Sequence, residues 1–330
     1  MRGLVRLGVL LVVGLLGMVP GFMGVGTALA AGTTYYVAVG GTATGCAAAE
    51  SRGAPFATVQ AALDCAAADT RAGAATATSP DTVAIAAGRY DEHLTASADV
   101  RLVGAGDDTV VDGMRSGTVV TVNGGSSVGI SHLTIADGAA FAGGGILNSG
   151  TLTLTNVVVR GNAASFAGGG IGNLGALTLI ESVVRGNTSG LHGGGIANDG
   201  TLTLRNSAVR GNTGGFGGGI CNGGTLTLDH SVVRGNAGLG EGGGGIANEP
   251  HGTATLTDSA VKHNTATAGG GILNVGRLRL TDSAVMDNTA TNDGGGIDQQ
   301  GGTVTLINSR VRKNRPDNCA PPGGVVGCTD

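Results

Sequence analysis

Tryptophan is absent from the 330-residue chain, and aromatic residues together make up only 2%. A core built around large rings is therefore excluded, and whatever is buried must be small and aliphatic. Charged residues are also scarce: at 13% they reach about half the usual share. The formal net charge of −4 excludes the strongly basic surface of a nucleic-acid-binding domain, so no nucleic-acid partner is expected. No CxxC pair or close Cys/His cluster occurs in the sequence, so neither a metal site nor a cofactor is expected. After residue 30 there is no apolar run long enough to span a membrane.

The one long apolar run is N-terminal. Arg2 and Arg6 precede it, it extends from Leu7 to about Val25, and Ala28-Leu29-Ala30 follows as a small-residue cleavage site. Residues 1–30 are read as an export signal cut near Ala30, the alternative being a retained anchor. The mature chain is expected outside the cell. Its cysteines fit an oxidising compartment: Cys46 with Cys65, and Cys319 with Cys328, form the simplest pairing, leaving Cys221 as a buried free thiol.

Glycine is what the chain has in abundance, with 66 residues, and the glycines recur in runs. The isoleucine that ends each run falls at Ile146, Ile171, Ile196, Ile220, Ile246, Ile272 and Ile297, in steps of 24 to 26 residues. Two residues later come Asn148, Asn173, Asn198, Asn222, Asn248 and Asn274, then Gln299. A second series is Asn162, Asn187, Asn212, Asn236, Asn264, Asn288 and Asn314. Such a fixed period marks a solenoid, in which no repeat can bury its own apolar face alone.

Each period holds three extended segments. Around Val184 these are Gly195–Asn198, the alternating Thr201–Leu204, and Ser207–Arg210. No stretch of the repeats has a helical period. The expected fold is all-β: a single-stranded parallel β-helix with three short strands per coil of about 25 residues. Leu154 to Leu306 and Val159 to Val311 should form interior ladders, and the two asparagine series should stack at turns. Residues 31–117 are expected to form an N-terminal cap and irregular first coils, with a short capping helix in 56–67 and a surface loop at 70–80. Regular coils then occupy 118–314, and a disulfide-closed tail 315–330.

The stretch "FATVQAALDCA…DTVAIAAGRYDEHL…VRLVGAGDDTVVDG" resembles the opening of right-handed parallel β-helix proteins of the pectin-lyase-like superfamily. The repeats "GGGIxN…GTLTLxNSxVRGN" resemble the GGA(I/L/V) and FxxN repeats of polymorphic membrane proteins, with Val in place of Phe. The resemblance implies a right-handed coil. It leaves function open, because this architecture serves lyases, hydrolases, adhesins and scaffolds alike. Polymorphic membrane proteins end in a membrane β-barrel; none follows the repeats here, so autotransport is not expected.

Four features are candidates for function. The glycine runs lack the Lys-Ser/Thr of a phosphate loop and the regular Asp of a calcium-binding β-roll, so they are read as turns. Arg160, Arg185, Arg210, Arg234 and Lys262 recur beside the inward valines as an outward basic ladder. They form either a track for an extracellular polysaccharide, cell-surface glycan or other polyanion, or a solvated face shielding the sheet. A polar column reads Asn156, Glu181, Asn206, His230, Asp258, Asp282 and Asn308. If the chain is a polysaccharide lyase or glycoside hydrolase, Asp258, Asp282 and His230 would carry the chemistry; the known catalytic strings of polygalacturonases are missing. Finally, Thr-x-Thr pairs such as Thr201/Thr203 and Thr225/Thr227 suggest an ice-binding face, interrupted by Ala176, Arg277 and Arg279. The reading carried forward is a secreted or cell-surface β-helix, without catalysis, that binds along the basic ladder.

Overall fold

The computed structural model describes residues 32–75 and 78–328; the export signal expected over 1–30 lies outside them. The chain forms a right-handed parallel β-solenoid of about nine turns. One coil shows how the sequence builds it. Ile196–Asn198 joins a ten-stranded sheet, and Thr201–Arg205 and Ala208–Arg210 join a nineteen-stranded one. Thr213–Phe216 joins a third sheet of seven strands. Each strand pairs in parallel with its own copy one coil away, as in Leu202↔Leu226 and Ile196↔Ile220.

The third sheet is an addition to the expected three strands per coil. Its strands are only two to six residues long. They are too short, and too rich in glycine and alanine, to produce an alternating pattern.

The interior is built of stacked aliphatic columns, with Leu152, Leu177, Leu202, Leu226, Ala254 and Leu278 forming one beside the isoleucine, leucine and valine series. Ile146 through Ile297 are fully buried, as are Leu154 through Leu280 and, in effect, Val159 through Val285. Burying each such side chain stabilises by about 1.5–3 kcal/mol. The glycine run has a separate steric cause at each place. Gly193 has a φ of +55°, a side chain on Gly194 would strike the Thr213 carbonyl, and a Cβ on Gly195 would lie 3.0 Å from both Asn212 Nδ2 and Val209 Cγ1.

Buried amides hold the corners. Asn148 Nδ2 donates to Asn173 Oδ1 at 2.7 Å, and the same bond links Asn173 to Asn198, Asn198 to Asn222, Asn222 to Asn248 and Asn248 to Asn274. In the second column, each Oδ1 accepts both the Nδ2 and the backbone N–H of the asparagine one coil before, from Asn162–Asn187 through Asn288–Asn314. Gln299 does not continue the first column: its Nε2 donates to the Gly302 carbonyl instead. A serine ladder escaped the sequence reading, although its positions recur there. The backbone N–H of Ser182, Ser207, Ser231, Ser259 and Ser283 donates to the hydroxyl of the next serine, ending at Ser309.

The ends are covered. The helix Val59–Ala72 begins at the N-cap Thr58 and ends at Gly73, so it runs further than the 56–67 read from the sequence and takes in the start of the expected loop at 70–80. Glu92 of the first coils accepts from the N–H groups of Val59 and Gln60, holding the helix start by charge as well as by packing. At the other end Cys319–Ala320 adds the last strand of the ten-stranded sheet, below Ile297. Disulfides join Cys46 to Cys65 and Cys319 to Cys328, and Cys221 is free and buried.

Truncating Asn212 removes the Oδ1 that accepts from the backbone N–H and Nδ2 of Asn187, and the Nδ2 that donates to the Val184 carbonyl and Asn236 Oδ1. Asn212→Ala is expected to lower unfolding free energy by about 2–4 kcal/mol. The outward Thr203→Ala should change it by less than about 0.5 kcal/mol. Urea titrations of both variants test this, and equal losses would show that the amide ladders are dispensable.

Candidate functional site

The basic ladder is in register. Arg160 pairs with Arg185, Arg185 with Arg210, Arg210 with Arg234, and Arg234 with Lys262; Met286 and Arg312 follow. Each cation ends a strand beside a buried valine, a ten-residue strand at Arg160 and three-residue strands at the other four, and the alternation of the strand turns it outward. Arg185, Arg234 and Arg312 are exposed, and Arg160, Arg210 and Lys262 are partly so. Among the described residues, ion pairs involve Arg89, His192 and His230, and none involves a ladder cation. Five like charges thus recur about every 4.8 Å, none of them in an ion pair among the described residues.

The polar column has a backbone explanation. Asn156, Glu181, Asn206, His230, Asp258, Asp282 and Asn308 all have φ between 47° and 53°. This left-handed corner suits glycine, asparagine and aspartate far better than branched or apolar residues. His263 and Asp287 occupy a second corner of the same kind, at φ 55°, where most coils carry glycine. The acids and histidines therefore follow the turn geometry.

The structure brings together only part of the expected catalytic set. His230 Nδ1 lies 2.6 Å from Asp229 Oδ1, and its Nε2 lies 3.9 Å from Asp258 Oδ2. The hydrogen bond to Asp229, then the charges of Asp229 and Asp258, hold the imidazole pKa above its ordinary value. His230, Asp258 and Asp282 are all exposed, and no ion pair joins Asp282 to the other two. Asp258 and Ser259 alone connect Thr253–Thr257 to Ala260–Lys262. A two-residue corner builds no cleft wall to exclude water. The threonine face stands on the same sheet as the ladder, and Ala176, Arg277 and Arg279 do interrupt it in register.

One cluster forms in space from residues far apart in the chain. Cys221 Sγ lies 3.7 Å from His192 Nδ1 and donates to Glu249 Oε1 at 3.1 Å. The three residues are 29 and 28 positions apart in the chain, one coil each, so no local motif could reveal them. His192 also belongs to an outer ring ladder that the sequence reading missed. Phe141 stacks on Phe166, Phe166 meets His192 edge-on, and His192 stacks on Phe216, with centroids 5.1, 5.5 and 5.8 Å apart. The spacing of these rings by about one coil was the available signal.

Among the described residues, no helix is long and apolar enough to cross a membrane. No protein-family model and no curated protein sequence matches the chain. Solved structures of similar fold include the pectate lyase Pel9A, at 15% identity and a TM-score of 0.51, covering 86% of this chain and 80% of that one. The pectin methylesterase from Aspergillus niger aligns at 14% identity with a TM-score of 0.43, over 90% of this chain and 92% of that one. At such identities the likeness is one of architecture, and what it establishes is the right-handed parallel β-solenoid.

Proposed function

We propose that the chain is a non-catalytic binding protein outside the cell whose basic ladder holds a linear acidic polysaccharide. The observation that carries this reading is the in-register column Arg160, Arg185, Arg210, Arg234 and Lys262, outward and without carboxylate partners among the described residues. Repulsion along such a column is relieved by a bound polyanion. A rigid strand spacing of about 4.8 Å offers one cation per repeating unit of a polymer of similar repeat. Two disulfides fit an oxidising, extracellular setting. The interrupted threonine face offers no continuous lattice for ice.

Isothermal titration of the full chain with polygalacturonate oligomers tests the ladder. Replacing Arg185, Arg210 and Arg234 together by Ser should weaken binding by about tenfold, at about 0.5 kcal/mol for each exposed charge pair. Added salt should narrow the difference. Equal affinities for the variant and the parent chain would overturn the reading.

The corner acids separate binding from catalysis. Asn keeps the left-handed corner, so Asp258→Asn and Asp282→Asn should each leave stability within about 0.5 kcal/mol. Asp258→Val should cost about 1–2 kcal/mol, because a branched side chain resists positive φ. The carboxylates should be dispensable for polysaccharide binding. If the parent chain cleaves an acidic polysaccharide and Asp258→Asn does not, the corner is catalytic and the non-enzymatic reading fails.

A further inference from the structure

We propose that His192, Cys221 and Glu249 form a binding site for a divalent metal ion of the zinc class. The three side chains come from successive coils. The observed separations are 3.7 Å for Cys221 Sγ to His192 Nδ1, 3.1 Å for Sγ to Glu249 Oε1 and 3.6 Å for Nδ1 to Oε1. A tetrahedral zinc ion, with bonds of about 2.3 Å to sulfur, 2.05 Å to nitrogen and 2.0 Å to oxygen, separates the same ligand pairs by about 3.5, 3.5 and 3.3 Å. The protein atoms already stand within a few tenths of an ångström of that triangle.

The direction of the atoms distinguishes this from a nucleophile relay. A histidine that passes a proton between a thiol and a carboxylate uses both ring nitrogens. Here the single Nδ1 faces both partners, and the thiol donates directly to the carboxylate. All three ligand atoms therefore converge on one point.

The surroundings fit a cation. Cys221 is 4% exposed. On binding, the S–H proton leaves to solvent and a sulfur–metal bond forms. The His192 ring is set between Phe166 and Phe216. Opposite, Gly223 leaves room, since a Cβ there would lie 3.2 Å from Glu249 Oε2 and 2.8 Å from the second carboxylate, Asp199 Oδ1. His192 and Glu249 also line a cavity of about 240 Å³ with Pro250 and Leu273. A fourth coordination position can open on that side, as in sites that keep a water or an exogenous ligand. Cys221 lies on the ten-stranded sheet, away from the nineteen-stranded sheet of the basic ladder, and the site does not depend on that ladder.

The test is a titration of the metal-free full chain with Co²⁺ as a spectroscopic stand-in. A thiolate-to-cobalt charge-transfer band should grow and saturate at one equivalent, and Zn²⁺ should abolish it. Cys221→Ser and His192→Ala should each lose the band. Zn²⁺ should raise the Tm of the parent chain and leave that of Cys221→Ser unchanged. Melting of metal-free Cys221→Ser separates loss of the site from loss of the fold, and the partly exposed His192 gives the same reading if that variant does not fold. No charge-transfer band in the parent chain, or a band that survives Cys221→Ser, would overturn the proposal.

Discussion

The parallel pairing of each coil with the next, at a fixed separation of about 4.8 Å, constrains everything else in this molecule. It sets every side chain against its own copy. Whatever a position holds is multiplied along the axis, with the liabilities of the residue as well as its benefits. Aliphatic side chains multiply best, and the isoleucine, leucine and valine columns are continuous and almost fully buried. Asparagine multiplies as well, because its amide is both donor and acceptor and can satisfy a buried neighbour on each side. Arginine multiplies poorly. A column of five cations persists only where solvent or a bound anion relieves it, which is why the basic ladder is the most informative surface feature.

Corner geometry is the second consequence. Two of the sharp bends in each coil are each made by one residue at positive φ, and a third such residue falls in the glycine run. Where that residue is glycine, as at Gly186 and Gly211, the sequence reads as a turn. Where it is Asp258, Asp282 or His230, the same backbone demand resembles a cluster of catalytic groups. The left-handed corner accounts for the choice of these residues, and the acids beside the two-residue connection are exposed.

Much of the architecture was legible in the sequence for this reason. Residues that must repeat in space repeat in the chain, so Ile196, Leu204, Val184, Asn187 and Asn198 identified the coil, its interior and its buried corners. The serine column from Ser182 to Ser309 was equally periodic, yet serine also suits exposed turns, and its burial decides its role. The fourth strand could not be seen, because Thr188–Ser189 is two residues long and carries no pattern. Helix length was underestimated because the stretch after Ala67 is less apolar and is held by the Gly73 cap.

The cluster around Cys221 marks where periodic reading stops. His192, Cys221 and Glu249 occupy three different columns, each of which holds another residue type in most coils. Cys221 stands between Ala197 and Ala247 in its own column. These small neighbours leave a slot that side chains from the coils on either side can enter. Glu249 arrives with the Glu249–Gly252 connection, which is longer than its counterpart in the other coils. In a solenoid, departures from the period are local and cost little, because each coil contacts only its neighbours. Residues that break three columns at once, and meet at one point, therefore carry information that the ladders do not.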